Sequence, residues 1–152
     1  MTATTACAAL LAGTVALAPG AAAVTPTQAT TQYDCGNLLG WVTAQLTATQ
    51  SGTDATITIE LSSVTAPLAV PWYSITSTLV LDDINTGQPV VFMGTVNPPL
   101  SAGDPITLGP LPGTVELGES LDVLGNELTF LMYGIRFSCE AVTPLSPGPF
   151  QF

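Results

Sequence analysis

Three groups of residues in this sequence are capable of chemistry: the cysteines Cys35 and Cys139, the aromatic step Trp72-Tyr73, and an acidic loop around Asp82 and Asp83. What they can do is bounded by what the chain lacks. Its 152 residues include eleven Asp and Glu, a single basic residue and no histidine, for a formal net charge of −10. Serine and cysteine nucleophiles are activated by a histidine or lysine base, and the one basic residue is Arg136, so hydrolase triads are excluded. Paired carboxylates remain, because glycoside cleavage needs only an acid and a base or nucleophile. Glu116 and Glu119 sit around a glycine turn and Glu60 lies among threonines, where a solvated strand face is the ordinary role. A non-enzymatic protein is therefore expected. Nucleic acid is not a partner, since phosphate binding needs clustered Lys and Arg.

The loop Leu81-Asp82-Asp83-Ile84-Asn85-Thr86-Gly87 resembles part of a calcium loop, with Asp82, Asp83 and Asn85 as the weak ligand candidates. A third acidic ligand and the distal bidentate glutamate are missing. The simpler reading is a hairpin turn with Asn85 and Gly87 in left-handed geometry, and no metal or cofactor is expected. Trp72 and Tyr73 follow Pro71 and are the candidate ligand-binding pair, able to offer a stacking platform to sugars. Large aromatics usually fill cores, so packing is the expected role for them and for Trp41.

These residues need elements to position them, and the patterning supplies strands. Residues 1–23 combine an apolar stretch from Ala8 to Ala18 with Ala21-Ala22-Ala23, which reads as a secretion signal with an A-x-A cleavage site. No stretch is long and apolar enough to span a bilayer, so no integral membrane span is expected. Cleavage discards Cys7 and leaves Cys35 and Cys139 as an even pair in an oxidising compartment, where a disulfide is expected. Residues 24–32 read as a flexible leader or a first edge strand. Val42, Ala44, Leu46 and Ala48 alternate with polar residues, as do Ala55, Ile57, Ile59 and Leu61 after the turn at Gln50-Ser51-Gly52, which predicts a hairpin.

A second hairpin is expected from 75–82 and 89–96. Prolines and glycines between Ser101 and Gly113 leave room only for brief strands at 106–108 and 114–117, and Glu127 to Cys139 is the longest β-type run. With no helical period in the mature chain, residues 33–141 are expected to form an all-β antiparallel sandwich of seven to nine strands, immunoglobulin-like in architecture, with a small barrel as the alternative. Residues 142–152 form a Pro-rich extended tail. It is read first as a strap on its own domain and second as an assembly tail presenting Phe150 and Phe152.

Tyr33-Asp34-Cys35 near the start and Phe137-Ser138-Cys139 before a proline-rich end resemble small secreted β-sandwich proteins of actinobacteria. That resemblance brings no catalytic residues with it. The expected role is a secreted structural or adhesive module of the cell surface or extracellular matrix, with a cell-surface protein or glycan as partner. The alternative is a carbohydrate-binding or carbohydrate-cleaving domain using Trp72, Tyr73 and a carboxylate. Edges without lysines also suggest a homo-oligomer or filament.

Overall fold

The computed structural model describes residues 23–152, so the expected signal segment, Ala23 apart, and Cys7 with it lie outside the described residues. The chain runs through β1 (Gln28–Asp34), a single helical turn α1 (Gly36–Leu39), β2 (Trp41–Ser51), β3 (Asp54–Thr65), β4 (Thr76–Asp83) and β5 (Pro89–Thr95). It continues through β6 (Pro105–Thr114), β7 (Ser120–Asp122), β8 (Glu127–Met132), β9 (Ile135–Ala141) and β10 (Phe150–Gln151). All ladders are antiparallel, as the alternating patterns require. The hairpin of β2 and β3 follows the period-2 faces: Leu46 pairs with Ile59 and Ala44 with Leu61, all buried, while Thr47 and Thr58 pair on the outside.

The strands form one ten-stranded sheet in the order β10-β7-β4-β8-β9-β1-β2-β3-β6, with β5 on the free side of β4. No ladder closes it. The sheet instead curls until β5 meets β6 over a common core. Phe92 of β5 is fully buried against Gly113 of β6, where an added Cβ would lie 2.5 Å from the ring. One backbone bond, from the Gly109 N–H to the Val96 carbonyl at 2.7 Å, spans the seam. Two strand edges that lack protective lysines thus cover each other.

The leader expected at 24–32 is structured, because Ala29, Thr31 and Tyr33 alternate inward and place β1 between β2 and β9 as an interior strand. The region expected to hold only brief strands forms the continuous β6. Its Pro110 and Pro112 are tolerated because only one side of this edge strand pairs, and a register shift opposite Ile57 and Ile59 absorbs the irregularity. The run from Glu127 to Cys139 is a hairpin rather than one strand. Tyr133 and Gly134, at φ 53° and 76°, make the two-residue turn that joins β8 to β9.

The tail is extended and lies on its own domain. Thr143 meets Thr31 and Gln32, Ser146 bridges to Thr30, Gln151 bridges to Thr25, and β10 pairs with β7. Phe150 and Phe152 are buried in the core, so neither is presented as an assembly tail. The disulfide joins Cys35, just after β1, to Cys139 in β9, across a sequence separation of 104 residues. It cross-links neighbouring strands in the middle of the sheet.

A loop of this length carries a stabilisation of ~4 to 5 kcal/mol in chain-entropy terms. The double variant Cys35→Ser, Cys139→Ser is therefore expected to lose about 2 to 5 kcal/mol in urea unfolding relative to the oxidised protein. Identical midpoints for the two would contradict the bridge's role.

Candidate functional site: an aromatic groove at the seam

The segment from Ala66 to Ile75 carries Pro67 and Pro71, leaves the sheet after β3, and re-enters it at β4. Its backbone meets the segment that leads from β5 to β6 at two places, Ala66 with Gly103 and Asp104 and Val70 with Leu100. A loop with so few ladder bonds must satisfy its backbone elsewhere. Asn97 does this. Its side chain is 1% exposed, and its Oδ1 accepts the N–H groups of Ser74 at 2.8 Å and Ile75 at 2.9 Å. Its Nδ2 donates to the carbonyls of Pro71 at 2.9 Å and Pro98 at 2.7 Å. The Ser74 hydroxyl also donates to the Pro71 carbonyl.

Held this way, the loop turns its two large rings outward. Tyr73 takes a left-handed backbone at φ 53°, and Ile75 occupies the core position instead. Trp72 is 60% and Tyr73 66% exposed, with ring centroids 6.1 Å apart and planes tilted by 33°. The expectation that these rings pack in the core is therefore overturned. Trp41 is exposed as well, because Val42 beside it takes the inward position on β2.

The rings border a groove of about 240 Å³ whose floor is Gly109 and Pro110 of β6, flanked by Thr58, Thr107, Val96 and Pro98. No charged side chain lines it. The floor depends on glycine: Gly109 has φ 98°, and a Cβ there would stand 2.7 Å from the Ile57 carbonyl and the Leu111 nitrogen. The groove thus lies at the point where the sheet fails to close.

The other candidates are placed elsewhere. Asp83 is buried at the turn after β4, and its Oδ1 accepts the N–H groups of Ser120 and Asn85 and the Asn85 side chain, while Oδ2 accepts from the Thr86 hydroxyl. The Thr86 hydroxyl first, and then the Ser120 N–H, hold this carboxyl below the usual carboxylate range. These oxygens are spent on the fold. Asp82 pairs with Asp122 and Pro89 along the ladders, and of the turn residues Gly87 alone, not Asn85, is left-handed. Among the described residues, no three Cys, Asp or Glu side chains converge to hold a metal ion. Glu119 accepts the Glu116 N–H and serves its turn. Asp34, Glu140 and Glu127 stand side by side on β1, β9 and β8 beside the disulfide, a like-charged row over a depression of about 460 Å³.

Asn97 and Gly109 are positioning residues that residue type alone does not single out, one an asparagine ahead of two prolines and one among several glycines between Ser101 and Gly113. Asn97→Ala leaves the buried Ile75 N–H and the half-buried Ser74 N–H and Pro98 carbonyl without their partner. It is expected to cost about 1 to 3 kcal/mol and, in a Trp41→Phe background, to lower the fluorescence anisotropy of Trp72. Unchanged stability and anisotropy would show that the amide does not hold the loop. Neither a family model, nor a curated protein, nor a solved structure matches the chain.

Proposed function

We propose that this protein is a secreted, non-enzymatic adhesive module of the cell surface or extracellular matrix, and that the Trp72–Tyr73 groove is its contact surface. The observation that carries this reading is the exposed aromatic pair fixed in place by a buried amide. Two large rings left in water forgo the stabilisation that burial would bring, on the order of a few kcal/mol. A loop held by four hydrogen bonds in that arrangement is preorganised, which lowers the ordering cost of binding. Tryptophan and tyrosine are also the side chains that most often anchor interfaces.

Export is supported by the A-x-A segment immediately ahead of Val24, which is buried at the head of the fold, and by a disulfide suited to an oxidising compartment. Retention of the mature protein, 24–152, on the envelope fraction of the producing organism tests the proposal. Replacing both Trp72 and Tyr73 by Ala is expected to weaken retention at least tenfold, the scale of an aromatic hot spot, while Trp41→Ala leaves it unchanged. Equal retention of the double variant and the wild type would overturn the assignment of the groove.

A further inference from the structure

The groove does not end at its walls. Thr107, which lines it, stands in register with Glu60, then Gln45, then Thr30, a row that crosses β6, β3, β2 and β1 on the outer face. Thr58, which also lines it, leads in the same way to Thr47 and Gln28. Neighbouring strands are about 4.8 Å apart, so three spacings carry the first row roughly 14 Å from Thr107 and two carry the second roughly 10 Å from Thr58. Along both rows every side chain ends in a hydroxyl, an amide or, once, a carboxylate.

From this continuity we infer that the ligand is an uncharged polysaccharide, stacked on Trp72 and Tyr73 and running outward over the Thr107–Glu60–Gln45–Thr30 row. The inference rests on the adhesive reading above and names the partner class of the same site.

Charge selects against the other polymers. Phosphate-bearing and acidic glycans would approach a chain of net charge −10 with no cation in the groove to receive them. A basic peptide would find no carboxylate among the groove's lining residues and a single one, Glu60, on the path beyond it. A neutral sugar chain meets neither obstacle. Its apolar C–H faces lie flat on the aromatic rings, and its ring hydroxyls reach the hydroxyls and amides of the two rows, which both donate and accept, and the Glu60 carboxylate, which accepts; the Thr30 hydroxyl, already donating to the Ser146 carbonyl, is left to accept.

A proline-rich peptide would also suit an aromatic groove. It carries apolar side chains and few donors, however, so the hydroxyl and amide rows would add nothing to its binding. The two occupants therefore differ in whether Gln45 and Glu60 matter. These residues lie on the outer face of β2 and β3 and take no part in the core, so their replacement is expected to leave the fold intact.

Retention on the envelope fraction separates the cases when that fraction is treated before use. Periodate, which cleaves vicinal diols, is expected to abolish retention, whereas exhaustive protease treatment leaves it intact and high salt changes it little. Neutral polysaccharide released from the same fraction is expected to compete, and to bind Gln45→Ala and Glu60→Gln roughly three- to tenfold more weakly, as for single contacts at an extended site. Loss of retention to protease but not to periodate would overturn the polysaccharide and favour a peptide partner, leaving the adhesive reading in place. Competition unaffected by either substitution would overturn the extended path. No retention on untreated envelope would instead contradict the adhesive reading itself.

Discussion

The sheet meets itself at the seam between β5 and β6 without a ladder, and the rest of the molecule is arranged around that constraint. A curled antiparallel sheet whose edges do not hydrogen-bond must hold them together by side-chain packing. Here a buried phenylalanine, Phe92, lies on the one β6 position, Gly113, where no side chain stands in its way. The single bond from Gly109 to Val96 marks where the two edges begin to diverge. One residue further along, Asn97 turns inward and takes over the backbone of the aromatic loop. Closure of the fold and presentation of the groove therefore depend on the same few residues.

The opposite side of the sheet is secured differently. β1 is the hinge of the topology, since the disulfide ties it to β9, the ladder ties it to β2, and the returning tail ties it to residues 143–146. The disulfide and the tail contacts are remote in sequence, which makes their formation slow in loop-closure terms, whereas the ladder with β2 is local. The buried Tyr33 on β1 shows how deep this strand lies: burial, with the Asp122 carboxylate nearby, pushes its phenol far above the ordinary value and keeps it neutral.

The parts of this fold that could be read from sequence are those governed by local alternation. The faces of β2 and β3, the extended tail and the cross-link of Cys35 with Cys139 follow from period-2 patterning, from proline spacing and from the pair of cysteines left when the expected signal segment with Cys7 is set aside. β6 was hidden because Pro110 and Pro112 argue against a strand until it is known to be an edge. The β8–β9 turn was hidden because tyrosine is an unusual occupant of a left-handed position. Exposure of Trp72 and Tyr73 was beyond reach of the pattern altogether: it depends on an amide 24 residues after Tyr73 that replaces a missing ladder, and hydrophobicity alone points those rings inward.

The central claim is that a buried side-chain amide preorganises an exposed aromatic pair, and amide hydrogen exchange on residues 24–152 reads it directly. Ser74 and Ile75 donate to Asn97 rather than to a neighbouring strand, so the account predicts that their N–H groups exchange as slowly as those inside β4, with Gly109 similarly protected. Exchange of Ser74 and Ile75 at the rate of an open loop, while β4 remains protected, would show that the rings are free to move and would contradict it.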